Sequence, residues 1–153
     1  IDAAVQACEL PFRGRASADL HALREKLYDL MWEKVGIIRD ARGLAAAGAQ
    51  LADLEAELDR CAIADGNRAF NLTWHDWLNL KSLVAVSGAI TAAAIARTDS
   101  RGAHFRSDFS QAGPLERSAF TSLTLDAGQL QVQMKPVAFT RVRPGETLLK
   151  DAA

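Results

Sequence analysis

The stretch LHALREKLYDLMWEKV, residues 20–35, decides the fold. Its apolar positions Leu20, Leu23, Leu27, Leu30, Met31 and Val35 recur at spacings of three and four, which gathers them on one face of a helix of 3.6 residues per turn. Ser17 or Asp19 is placed to cap its first turn. A helix with one apolar stripe needs partners to bury it, and the downstream sequence supplies two. Gly36 and the run Arg39-Asp40-Ala41-Arg42-Gly43 interrupt the pattern. Leu44, Ala47, Leu51, Leu54 and Leu58 then form a second stripe, with Asp53, Glu57 and Arg60 on the opposite face.

Residues 62–73 contain Asp65-Gly66-Asn67 and read as a loop, with Asn71 or Thr73 available to cap a third helix from about Trp74 to Thr98. Its second half, Ser87–Ala96, is so rich in Ala and other small residues that a neighbouring helix or domain can approach closely. The segment is apolar on nearly every side, so it is expected to be buried. Past Gly113-Pro114 the period changes to two. Phe120, Ser122 and Thr124, then Leu130, Val132 and Met134, alternate with their neighbours about Asp126-Ala127-Gly128, which predicts a β-hairpin. A third extended piece is expected over Val137–Val142, before Pro144-Gly145. The lead, with Pro11 and Gly14, reads as irregular.

The expected fold is mainly α: a three-helix bundle of the spectrin-repeat kind followed by a small antiparallel β-hairpin element. Residues 1–153 form one domain, with the bundle over about 17–98, a loop over 99–118 and the β element over 119–145.

The 18 Lys and Arg against 19 Asp and Glu leave a net charge of -1, with no basic field to gather nucleic acid or anionic lipid. Nucleic acid is not an expected partner. Cys8 and Cys61 have neither a CxxC pair nor a Cys/His ligand spacing around them and are expected to be reduced thiols of a cytosolic protein. The apolar stretch Leu83–Ala96 is broken by Ser87, Gly88 and Thr91 and falls short of the roughly 20 residues of a membrane span, so no direct insertion is expected. The chain opens Ile-Asp-Ala-Ala, without Met or a signal-like run, and reads as a fragment.

Trp74-His75-Asp76-Trp77 sets an imidazole beside a carboxylate, but no nucleophile motif accompanies it. At a helix start Asp76 complements the macrodipole while the indoles pack. His21, His75 and His104 have no metal-ligand spacing, so no metal is expected. The chain lacks GxGxxG, a P-loop and a GxSxG elbow. No catalytic or cofactor-binding residue is therefore expected within it. The loop Ser100–Phe109 differs in kind, because it concentrates Arg101, His104, Arg106 and Asp108, flanked by Arg97 and Asp99, around Gly102. Guanidinium forks suit bidentate contacts, so the loop either pins one domain to another or forms an internal Arg/Asp network; spacing leaves both open.

The string DSRGAHFRSDF, residues 99–109, resembles the ESRGAHxRxDxP signature of the C-terminal domain of succinate dehydrogenase and fumarate reductase flavoproteins, with Ser110 where that family usually has Pro. LREKLYDLMWEKVGIIRDARGL, residues 23–44, looks like the family's first helix and Val-Gly turn. LNLKSLVAVSGAITAAAIAR, residues 78–97, looks like the helix leading into the signature, and PVAFTRVRPGE, residues 136–146, is similar to the closing strand. L-aspartate oxidase has a similar domain, which LMWEKVGIIRD resembles equally well.

The resemblance implies a parent that is an FAD-dependent oxidoreductase acting on C4 dicarboxylates, of the CH–CH donor type. FAD and the catalytic residues lie upstream, so none is bound by this fragment, which is expected to be inactive alone. It implies inter-domain contact for Arg101, Gly102, His104, Arg106 and Asp108, with the upstream FAD-binding and capping domains as partners. An iron-sulfur subunit is a further partner, and the setting is cytoplasmic, at the inner face of the membrane through partner subunits. The ending RVRPGETLLKDAA lacks the Pro-Pro-Lys and aromatic tail of many respiratory members, which weakens the case for that subunit. A free-standing helical interaction module is the alternative from another class.

Overall fold

A computed structural model describes residues 1–14, 16–17 and 19–146. The expected third-helix face, hairpin and capping residues lie within these; the side chain of Ser17 and the chain end from 147 lie outside them. Three long helices carry the architecture: α2 (Leu20–Val35), α3 (Ala41–Arg60) and α4 (Leu72–Ala96). A short α1 (Asp2–Cys8) precedes them, and a 3-10 turn covers Leu10–Phe12, so the lead expected to be irregular is partly helical. Pro11 stands in the first turn of that 3-10 segment, where its missing N–H has no helical partner to lose.

Each long helix starts on a side chain that satisfies its orphan amides. Asp19 Oδ1 accepts from the amides of His21 and Ala22. Asp40 Oδ1 accepts from Gly43 N, and Asn71 Oδ1 from Trp74 N. The third helix therefore begins at Leu72, two residues before the expected start, and closes at Ala96 rather than Thr98.

The buried positions follow heptads: Leu44, Ala47, Leu51, Leu54 and Leu58 on α3, and Trp77, Leu80, Val84, Ser87, Thr91 and Ala94 on α4, against Leu23, Leu27, Leu30 and Val35 of α2. Such a repeat keeps one seam facing the partner helices. Trp77, 1% exposed, donates from Nε1 to the carbonyl of Leu58, which ties the end of α3 to the start of α4. Arg24 meets Asp76 at 3.3 Å, so α2 and α4 start at the same end of the bundle. The tryptophans pack as expected: Trp74 lies edge-on to Phe12 and donates to the carbonyl of Cys8. Cys61 is buried, Cys8 is partly so, and both thiols are free.

The burial expected for Ser87–Ala96 is one-sided. Val86 and Ile90 stand exposed on the flank of α4 turned from the seam, and Ile95 is exposed in the last turn. By length and composition α4 is also long enough to cross a bilayer, with 25 residues and a mean hydropathy of 1.5 over its most apolar 18-residue window. The helix is thus longer than the stretch Leu83–Ala96 suggested, because it starts at Leu72. The same helix seats its heptad stripe in the bundle core, as the central helix of a packed domain does.

Two-residue parallel pairs brace the ends of the bundle, inside segments that read as breaks in the sequence. β1 (Ala16–Ser17) pairs with β3 (Cys61–Ala62), and β2 (Ile38–Arg39) with β4 (Phe105–Arg106). The hairpin is β5 (Ala119–Asp126) with β6 (Gln129–Pro136), closed by Ala127-Gly128 with φ of 47° and 80°, the double positive φ of a type I′ turn. The third extended piece over 137–142 is not a strand. Its pairing to the rest is the Val137 amide donating to Ser118 O, beyond Pro136, which has no N–H with which to continue a ladder.

Candidate functional site

The loop after α4 is built around the carbonyls that a helix leaves unpaired at its C-terminus. Arg106, 2% exposed, lays its Nη1 against the carbonyls of Ala94 at 2.9 Å and of Ile95 and Arg97 at 3.3 Å. Its other two nitrogens make a fork with Asp108, Nε to Oδ1 and Nη2 to Oδ2, both at 2.7 Å. The same Asp108 accepts from the amide of Ala41, the first residue of α3. One ion pair thus sets its cation on the negative end of α4 and its anion on the positive end of α3, and each charge complements a helix dipole. The Arg106 fork is the main reason that the Asp108 carboxyl is held down to about 2.

Ser100 organises the backbone beneath this pair. Its hydroxyl accepts from the amide of Arg106 and donates to the carbonyl of Phe109 at 2.8 Å. Arg101 and His104 exchange backbone hydrogen bonds across Gly102-Ala103, and Gly102 takes φ +58° at the first central position, where a glycine avoids the clash a Cβ would bring. The space a Gly102 side chain would occupy is open.

Arg101 reaches away from the bundle, toward the loop that precedes the hairpin. Its Nη1 donates to Ser118 Oγ at 2.7 Å and its Nη2 to Gly113 O at 2.6 Å. Its Nε is buried without a hydrogen bond, 3.8 Å from Asp99, which itself holds Arg97 at 2.9 Å. His104 sits between two elements: Arg39 Nη1 donates to its Nδ1 at 2.8 Å, and its Nε2 lies 3.3 Å from the carbonyl of Arg97. A guanidinium only donates and a carbonyl only accepts, so His104 is neutral with its proton on Nε2. Burial, then the nearby Arg39 and Arg97 charges, lower its pKa.

All five residues singled out from the sequence, Arg101, Gly102, His104, Arg106 and Asp108, are brought into one loop. Arg106 and Asp108 turn inward on helix ends, Arg101 and His104 bridge to the hairpin side and to β2, and Gly102 stands at the outer tip. Arg39 and Ser100 were missed as members of the site. Arg39 carried one signal, an arginine in the break four residues past the end of α2, but only pairing of β2 with β4 brings it to His104.

The junction of β2 with α3 is the arrangement that receives a pyrophosphate in dinucleotide sites. Here the first amides of α3 are taken by Asp108 and Asp40, two carboxylates where an anionic ligand would have to sit. The first amides of α3 therefore offer no seat to a pyrophosphate.

A heptad bundle whose last helix is closed by a buried arginine, followed by a β-hairpin, defines a mainly helical domain with a small β element. The family model described as "Fumarate reductase flavoprotein C-term" matches residues 24–148, and the chain belongs to that family. The 8-methylmenaquinol:fumarate reductase flavoprotein subunit of Wolinella succinogenes is 28% identical over 82% of this chain and 21% of its own length. The fumarate reductase flavoprotein subunit of Mycobacterium tuberculosis is 30% identical over 90% of this chain and 24% of its own. The solved structure of Mycobacterium smegmatis Sdh1 in complex with UQ1 superposes with a TM-score of 0.78 at 25% identity, covering 88% of this chain and 23% of that one. The chain therefore spans about a fifth to a quarter of the length of the relatives it matches.

Proposed function

We propose that this chain is one domain of a longer FAD-dependent oxidoreductase of the succinate dehydrogenase and fumarate reductase type, acting on a C4 dicarboxylate, and that its own part is structural. FAD is carried elsewhere in the parent, on the flavin-binding domain that, with the capping domain, is the partner of this one. An iron-sulfur subunit is a further partner, and the parent works in the cytoplasm, at the inner face of the membrane through its partner subunits.

The observation that carries the reading is the Arg106–Asp108 pair, which spends the loop's strongest charges on closing α4 and starting α3 rather than on a ligand. What the loop leaves outward is Gly102, with Arg101 and His104 to either side, and these form the inter-domain junction, held in place from within by Arg106 and Asp108. In the parent, Arg101→Ala is expected to weaken flavin retention or domain packing more than it harms the isolated domain, where it costs the contacts to Ser118 and Gly113. Equal loss in both would make Arg101 part of an internal network only. Flavin absorbance retained by the purified 153-residue chain would refute the accessory role.

A further inference from the structure

Between α2 and α4 one face of the bundle is uncovered from Asn79 to Ile90, and its chemistry changes toward the end where β5 meets α4. On α4 the residues Asn79, Leu83, Val86, Ile90, Ala93 and Arg97 recur at spacings of four and three, so they form a second stripe beside the buried one. Tyr28 of α2 flanks it, in a groove lined also by Arg24, Asp76, Leu83 and Val86. Trp32, one turn further along α2, is 79% exposed, and Tyr28 and Val86 are 50% and 58% exposed. Further along the same stripe lies a second hollow, lined by Ile90, Ala93, Arg97, Arg39, Arg101 and His104, with Thr121 of β5 at its rim.

That hollow is cationic. Arg97 and Arg101 share the single carboxylate of Asp99, His104 is neutral, and among the described residues Arg39 has no carboxylate partner, only the carbonyl of Val35 and the ring of His104. Three guanidinium groups against one carboxylate leave an excess of two positive charges at the end of an apolar strip. An aromatic and aliphatic centre with a charged edge is the composition of a protein interface, and relatives nearly four times as long as this chain supply the polypeptide to cover it.

We infer that this groove seats a segment of the parent's remaining chain that lays apolar side chains along Tyr28, Trp32, Leu83, Val86 and Ile90 and ends on an Asp or Glu whose carboxylate pairs with Arg39. The inference rests on the inter-domain reading above and names the face, the chemistry and the residue that receives the partner. A planar fork is suited to a carboxylate and keeps its charge when desolvated, whereas His104, accepting from Arg39, holds that fork in place from behind.

The test uses the full-length parent. In Arg39→Lys, carbodiimide treatment forms an amide between the Lys amine and a carboxylate in direct contact, and mass spectrometry of the digest is expected to place that bond on an Asp or Glu outside residues 1–153. No such bond, or one only to Asp40, Asp99 or Asp108, overturns the assignment of Arg39. Hydroxyl-radical footprinting of the wild-type parent reads the groove separately: Tyr28 and Trp32 are expected to be protected despite their exposure in the isolated domain, and in Arg39→Glu that protection is expected to fall by at least half. Protection in wild type that Arg39→Glu leaves unchanged would sink the carboxylate pairing but keep the docked domain; free oxidation of both rings in wild type would sink the docking itself.

Discussion

At the scale of single residues the decisive group is the Arg106 guanidinium, since it meets five of the chain's own acceptors from a position closed to water. Arg106→Ala would leave the α4 carbonyls uncapped and Asp108 without its counter-charge. Leaving a buried acceptor without a donor costs about 1–3 kcal/mol, and a loss of that size is expected from the freed α4 carbonyls, since Asp108 itself is exposed to water. Arg106→Lys should restore little of it, since one ammonium cannot serve the helix end and both carboxylate oxygens together. Urea denaturation of the three proteins measures the differences.

Two residues of the loop also set a pH profile. The folded pKa of His104 is lowered, so the unfolded chain binds its proton first; the stability it contributes is complete above about 6.5 and is lost as the pH falls below that value. Asp108 is depressed to about 2, so its contribution is complete above about 3.9 and is lost as the pH falls from there toward 2. Thermal melts against pH are expected to fall in two stages, and His104→Gln should remove the upper stage and keep the lower. A single stage, unchanged by that substitution, would mean that His104 is already protonated in the fold.

At the scale of elements, helix caps and heptads agree with one another, and this is why the three helices were legible. Asp19 and Asn71, each offered by the sequence as a cap, do cap, and Asp40, which reads only as part of a break, caps α3 as well. The hairpin was legible too, through its alternation about Gly128. Its turn, however, keeps Ala127 in the left-handed region, where a Cβ crowds the following carbonyl. Ala127→Asn is expected to stabilise the hairpin by about 1 kcal/mol, as Asn tolerates that region and Asn-Gly is the preferred type I′ pair. Slower amide exchange in β5 and β6 would show it. The short strands β1 to β4 had no such signature: two residues have no period, and what holds Ile38-Arg39 extended is its neighbour Phe105-Arg106, some 67 positions on.

At the scale of the whole molecule, the balance between buried and exposed apolar surface is unusual. Among the described residues fourteen apolar ones form the core, yet Tyr28, Trp32, Ile37, Ile38, Val86 and Ile90 remain in water. Surface of this kind drives association when its partner is absent. The isolated chain is expected to self-associate at micromolar concentration, and Trp32→Glu with Val86→Glu should return it to monomer without loss of helix content, as read by sedimentation velocity and circular dichroism. A wild-type chain that stays monomeric would contradict the exposure of that face.

Sequence by itself determined what local chemistry determines: three amphipathic helices, the residues that start them, a hairpin, and a loop whose arginines and signature resemble one flavoprotein family. Period and capping act within a few residues, so a single chain displays them. Only the tertiary structure decided what the loop's charges do. Whether Arg106 faces a ligand, another domain or its own helix depends on where the end of α4 lies relative to the start of α3, and packing of the bundle sets that distance. The same holds for Arg39, which reads as part of a break between helices until the pairing of β2 with β4 carries it to His104.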